Sequence, residues 1–198
     1  MTYKYVGFNW GLAGILVIGG RERSVEFWSA ANLIPEQGSC VLEDYPRGLG
    51  GPTVNLVSGR LVTCQENACD IYLDGTWQHL QNTATNRSYH TSASTKDALL
   101  LIGGKYSNST EWIPMNGSLA QPGPFTVRHG IHHCTIQVSV DVIVVTGGIG
   151  TDYHVTQYQL VNGQHTFLPS MGQPRSEHAC GVYKDSGGQQ VRLTYHWR

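Results

Sequence analysis

The sequence predicts an all-β chain: an arc of a β-propeller with about four four-stranded antiparallel blades and the start of a fifth. Three observations predict it. The 198 residues include 24 glycines among abundant Ser, Thr and Asn, and only 14% are charged, a composition that favours many short strands joined by turns. Apolar residues alternate, or run for four to seven positions, between turn residues, which is the strand signature rather than the helical one. Above all, the chain repeats itself about every forty residues, the period of a propeller blade.

The repeat carries three marks. "ILVIGG" ends at Gly20, "LLLIGG" at Gly104 and "VIVVTGG" at Gly148, and "GRLVTCQE" supplies a fourth member with Gln65-Glu66 in place of the glycines. The first residues of these pairs, Gly19, Gln65, Gly103 and Gly147, are separated by 46, 38 and 44 positions. An acidic or amide residue beside an apolar or aromatic one follows each pair: Glu26-Phe27, Asp70-Ile71, Glu111-Trp112 and Gln157-Tyr158. Arg47, Arg87, Arg128 and Arg175 precede each new unit, and in three cases a histidine follows shortly after, at His90, His132 and His178. On this alignment Cys134 also matches Cys180.

Within one unit the strands follow in the order A to D. In the third they are expected near Tyr89 to Ser94, Ala98 to Ile102, Thr110 to Met115 and Ser118 to Gln121. The whole chain reads as one partial propeller, with blades at about 1–46, 47–86, 87–127 and 128–174 and a partial blade at 175–198.

These residues resemble the kelch-repeat family of β-propellers, which includes galactose-oxidase-like enzymes. "LLLIGG" carries the glycine half of the family mark, and "LVTCQENACDIYLDGTWQHL", with Tyr72 and Trp77, carries the aromatic half. Gly19, Gly20, Gly103, Gly104, Gly147 and Gly148 are then structural repeat positions. The second unit departs by lacking the glycine pair, the third by lacking a large residue where Trp77 sits. The fifth starts with "PRSEHACGVYKD" but has no pair after it. Because kelch-like propellers usually close with six or seven blades, the resemblance implies a piece of a longer parent whose missing blades would complete it.

Several chemistries are disfavoured. A net charge of -1 offers no basic footprint for nucleic acid. The longest apolar runs fall far short of the roughly 20 residues of a membrane helix, and the first twenty residues lack the basic start and continuous apolar stretch of an export signal. The glycine pairs lack the spacing and the following helix of a phosphate loop, so they read as tight strand exits. No local Ser-His-Asp or Cys-His signature stands out.

Metal chemistry has two candidate sources. "RHGIHHCT" gathers His129, His132, His133 and Cys134, but strand alternation sends His132 and Cys134 to one face and His133 to the other. Tyr89-His90, Tyr153-His154 and Tyr195-His196 raise the tyrosine and histidine ligands of a galactose-oxidase-like copper site, a role the resemblance makes conceivable. The repeat accounts for the first of these pairs, and the expectation is no metal and no cofactor.

The five cysteines are odd in number. Cys64 ends one strand and Cys69 begins the next across a four-residue loop, a spacing that permits a disulfide; Cys40 is a rival partner for either, and two buried thiols are the third alternative. Sequons at Asn86, Asn108 and Asn116 fall in stretches read as loops or turns. Cysteines and sequons together favour an extracellular or secreted protein, with a cytoplasmic one as the alternative.

Antiparallel A-B-C-D order sends the B–C loops and D–A connections to one face. That face is expected to hold Arg21, Arg23, Lys105, Tyr106, Asp152, Tyr153 and His154, with Arg47, Arg87, Arg128 and Arg175 in the connections. Arg and Tyr on loops of a rigid scaffold suit recognition. The expected function is non-catalytic binding of a protein or glycan. The alternatives are a fragment of a galactose-oxidase-like copper enzyme, and the substrate-recognition part of a ubiquitin-ligase adaptor.

Overall fold

The structure is a computed structural model, which describes residues 5–9, 14–19, 25–29, 45, 53–128, 131–150, 153–184 and 190–195. Its strands are β1 (Tyr5–Asn9), β2 (Gly14–Gly19), β3 (Val25–Ser29), β4 (Thr53–Val57), β5 (Arg60–Leu73), β6 (Thr76–Arg87), β7 (Thr91–Ser94) and β8 (Ala98–Ile102). They continue with β9 (Ser109–Pro114), β10 (Gln121–Thr126), β11 (Cys134–Ser139), β12 (Val142–Thr146), β13 (Val155–Gln159), β14 (His165–Leu168), β15 (Ala179–Lys184) and β16 (Gln190–Tyr195). There is no helix among the described residues.

Among the described residues every pairing is antiparallel, and the strands form five sheets: β1-β2-β3, β4-β5-β6, β7-β8-β9-β10, β11-β12-β13-β14 and β15-β16. The first strands of successive sheets lie side by side, β1 by β4, β4 by β7, β7 by β11 and β11 by β15. Sheets that meet along their first strands and stack face to face make a propeller-like arc, with those strands innermost.

Stacking explains the continuous apolar run of β8. Leu99 and Leu101 pack with Val57, Val62 and Ile71 of the preceding sheet, while Leu100 and Ile102 pack with Ile143, Val145 and Tyr158 of the following one. Successive side chains point to opposite faces, so a strand buried on both faces must be apolar throughout. Two prolines sit on the edge: β10, which holds Pro122 and Pro124, is the outermost strand of its sheet, whereas Pro114 is the last residue of the interior strand β9.

The second sheet hides a fourth strand inside β5. Residues Arg60 to Cys64 pair with β4, and Cys69 to Leu73 pair with β6. Five residues of straight strand would span roughly 16 Å, yet the Cα atoms of Cys64 and Cys69 are 4.0 Å apart. The chain therefore doubles back between them, with Glu66 in the left-handed region at φ +52°.

Three expectations need correction. The outer strand of the third sheet is Gln121–Thr126 rather than Ser118 to Gln121. The segment before it is turn, closed by the Asn116 Oδ1 accepting from the Ser118 N–H and hydroxyl. Asn86 lies within β6, not in a loop. The third correction concerns alignment in the fourth unit. Thr91 pairs with Ile102 just before one glycine pair, and Cys134 with Thr146 just before the next. His90 therefore corresponds to His133 and Tyr89 to His132, one position away from the sequence alignment. On the C strand, Ile102 pairs with Thr110 and Thr146 with Val155, so Glu111 corresponds to Thr156 rather than to Gln157. Cys134 corresponds to Thr91 and Ala179, not to Cys180.

Candidate binding face

The loop end of the blades begins at the glycine pairs. Gly103 and Gly104 have φ of +62° and +121°, Gly147 and Gly148 of +64° and +103°. Glycine is needed for space as well as for φ at Gly147, where an added Cβ would lie 2.2 Å from the Arg175 carbonyl oxygen and 2.6 Å from His178 Cε1. At Gly147 the D–A connection of the following blade thus crosses directly over the strand exit, while at Gly104 and Gly148 an added Cβ would lie 3.2 Å from Ser88 O and Ile131 O of the connection entering the same blade. Backbone bonds fasten both connections: within a blade the Lys105 N–H donates to Ser88 O at 2.8 Å and the Ile149 N–H to Ile131 O at 3.0 Å, and between blades the Gly148 N–H donates to Arg175 O at 2.9 Å. B–C loops and D–A connections do share one face.

Arg87 lies beneath that face rather than on it. It is 1% exposed, and its guanidinium donates to Gly103 O at 3.0 Å, Ser109 O at 2.6 Å, Ser109 Oγ at 2.7 Å and Glu111 Oε2 at 3.3 Å. Burial pulls its pKa down from the ordinary arginine value, and the Glu111 carboxylate pushes back. Arg87 is a clamp on the Gly103–Ser109 loop. Arg128 does not repeat the role. It stands five residues before His133 where Arg87 stands three before His90, and it is exposed with its guanidinium over the Phe167 ring. Arg175 keeps the three-residue spacing to His178; Arg47 lies outside the described residues.

Adjacent blades are tied near the axis by a threonine and histidine series. Thr53 Oγ1 meets His90 Nε2 at 3.1 Å, Thr91 Oγ1 meets His133 Nε2 at 2.8 Å, and Thr146 Oγ1 meets His178 Nε2 at 2.8 Å. Gln137 adds a bidentate tie, donating to Ser94 O at 2.6 Å and accepting from Ser94 N–H at 3.0 Å. In front of these ties, Tyr89, His132 and Glu177 occupy one repeat position and share left-handed φ of +58°, +63° and +54°. The His132 ring lies 4.5 Å from the Tyr89 ring, and its Nδ1 is 3.4 Å from Glu177 Oε1. Equivalent residues of successive blades can touch only where blades converge, so these three form a rim at the axial mouth of the face. Sequence reasoning missed the rim because its members share neither charge nor shape.

Two disulfides are present among the described residues. Cys64–Cys69 closes the hairpin in the second sheet, as one of the sequence alternatives held. Cys40 lies outside the described residues. Cys134–Cys180, with Cα atoms 6.0 Å apart, joins the first strands of the fourth and fifth sheets and was not anticipated. It takes the slot of the 2.5 Å contact between Thr91 and Thr135 hydroxyls one interface earlier. Two disulfides fit an oxidising compartment. They also change the reading of "RHGIHHCT": Cys134 is bonded to sulfur, His133 to Thr91, and His132 lies in the rim.

The expected contact residues divide by placement. Lys105 and Tyr106 are exposed at the tip of one B–C loop, with Lys105 Nζ 5.2 Å from the Tyr106 ring centroid. Tyr153 and His154 are exposed in the next loop, where Ile149, which the sequence reading omitted, is exposed too. Arg21, Arg23, Gly20 and Asp152 lie outside the described residues, as do His129 and His196. Tyr72 and Trp77 are cross-strand partners in edge contact at 5.2 Å, and Tyr45 meets the Trp77 ring at the same distance. Asn86, Asn108 and Asn116 are all exposed.

No known family profile matches the chain, and no curated protein matches its sequence. Among solved structures it is similar to YjhT, with a TM-score of 0.76 and 10% identity over 91% of this chain and 69% of that one. At that identity the likeness concerns the fold alone.

Proposed function

We propose that the chain is a non-catalytic recognition module of the kelch-repeat propeller type, binding a protein or glycan through its B–C and D–A loop face in an extracellular setting. The observation that carries the reading is the side-chain content of two neighbouring loops. Tyr106 is 65% exposed, Tyr153 52% and Ile149 53%, beside Lys105 and His154, on backbone held by the blade scaffold beneath. Aromatic side chains fixed at loop tips are the groups that give interfaces most of their energy. The turns at the opposite end of the described blades expose the aliphatic Leu119, Val140 and Val161 beside polar residues such as Asp97, Asp141 and Asn162, with no exposed aromatic among the described residues there. The kelch assignment is supported by glycine pairs in left-handed conformation after apolar strands and by the Tyr72–Trp77 pair.

The test screens the purified chain against a glycan array and a displayed peptide library, then repeats any hit with Tyr106→Ala/Tyr153→Ala. The double variant should bind at least about tenfold more weakly at unchanged Tm. Undiminished binding would move the site elsewhere. Stoichiometric copper in the purified protein, together with oxidation of a primary alcohol, would overturn the non-catalytic reading.

A further inference from the structure

Two disulfides of unequal accessibility occupy unequal places in this fold. Cys64 and Cys69 are fully buried between the second and third sheets. Cys134 and Cys180 are half-buried, and each lies close in sequence to a member of the axial rim: Cys134 follows His132 by two residues and Cys180 follows Glu177 by three. The β4–β7 and β7–β11 junctions are held by hydrogen bonds, Thr53 with His90 and Thr91 with His133 and Thr135. At the junction of β11 and β15, a sulfur–sulfur bond stands where the Thr91–Thr135 contact would be.

We infer that Cys134–Cys180 is a redox-responsive clasp that sets the geometry of the loop face by holding the fifth sheet against the fourth. It rests on the proposed function only in taking this face to be the one that binds. An attacking thiolate must reach a disulfide sulfur, so access selects which bond is reduced. The partly exposed pair is open to that attack and the buried pair is shielded. With a dithiol as reductant, one thiolate attacks a clasp sulfur, the S–S bond breaks and a mixed disulfide forms. The second thiol of the dithiol then displaces the remaining cysteine. Two electrons and two protons end on Cys134 and Cys180, and the dithiol becomes a disulfide.

Opening the clasp leaves the junction to weaker ties. These include the Thr146–His178 bond, the His132–Glu177 pair, and two backbone bonds, Gly148 N–H to Arg175 O and Glu177 N–H to His132 O, both 2.9 Å. The two amides report the junction directly. The Lys105 N–H, bonded to Ser88 O within the third blade, lies away from the clasp and serves as the control.

The experiment titrates the intact chain with dithiothreitol without any ligand, traps thiols by alkylation, and locates them by peptide mass spectrometry. Amide exchange is followed by NMR in parallel. Cys134 and Cys180 should be labelled at reductant concentrations at least tenfold below those that label Cys64 and Cys69. Over that range Gly148 and Glu177 amides should exchange at least tenfold faster, with Lys105 unchanged. Cys134→Ala/Cys180→Ala should reproduce the fast amides in oxidised protein that keeps its β-sheet circular dichroism; Cys64→Ala/Cys69→Ala should not. Equal or earlier labelling of Cys64 and Cys69 would overturn the inference, as would unchanged Gly148 and Glu177 exchange after reduction. A junction that opens as expected on a face that binds nothing supports the clasp and counts against the recognition reading instead.

Discussion

Arg87 shows how a residue that looks like part of a binding surface becomes part of the core. Its side chain satisfies two carbonyls, a hydroxyl and a carboxylate at once, and the partner Glu111 is itself 2% exposed and accepts the Ala84 N–H. The planar guanidinium suits this fork of acceptors, which a lysine ammonium cannot span. Removing it strands a buried carboxylate, and breaking such a pair typically destabilises by about 3 to 5 kcal/mol. Arg87→Met should lose that much in urea denaturation, and Arg87→Lys a smaller part. A loss below about 1 kcal/mol would place the pair with ordinary exposed ion pairs. The sequence marks Arg87 as a repeat position but is silent on burial, because its acceptors come from a strand exit and the start of the next strand, 16 to 24 residues away. Exposure of Lys105, Tyr106, Tyr153 and His154 was easier to read, since turn residues after a buried strand have little else to pack against.

At the scale of strands and turns, the glycine pairs divide backbone conformation from space. Gly147 and Gly150 both have positive φ, +64° and +87°, but a Cβ on Gly150 would meet nothing within 4 Å, while one on Gly147 would enter the Arg175 carbonyl. Gly150→Ala should therefore cost about 1 kcal/mol for the left-handed conformation alone. Gly147→Ala should cost about 3 kcal/mol or more, since the next blade's connection must also shift. Thermal and urea unfolding of the two variants measure the difference; equal losses would mean the crossing can yield. Strands were legible because "ALLLI" is apolar on both faces and glycines end it. The one-residue slip in the fourth unit was not, because His132 and His133 are chemically alike and only hydrogen-bond register separates them. Glu66 makes the same point in reverse: it holds the left-handed conformation without being glycine, in a hairpin closed by a disulfide.

At the scale of the whole molecule, each sheet contacts its neighbours, so stability accumulates through junctions in the manner of a repeat protein. The period of about forty residues made this arrangement legible. The covalent junction was missed because Cys134 and Cys180 sit one repeat position apart, joined diagonally as Thr91 is with Thr135, rather than at the matching positions a repeat alignment displays. The two disulfides should consequently differ in what they stabilise. Cys134–Cys180 closes a loop with a separation of 46 residues and Cys64–Cys69 one of 5. The loop-entropy relation gives about 4 kcal/mol for the first and about 2 kcal/mol for the second. Urea denaturation of Cys134→Ala/Cys180→Ala and Cys64→Ala/Cys69→Ala against the parent chain tests the order. The first variant should lose more, and its loss should be concentrated in the amides of Gly148 and Glu177, because those bonds cross the junction it frees. A larger loss from the buried pair would mean that packing between the second and third sheets, where Cys64 and Cys69 meet Leu99, Leu101 and Ile113, outweighs the constraint on the unfolded chain. Stability would then follow the core between sheets, and the Cys134–Cys180 bond would add little to what packing and hydrogen bonds already hold.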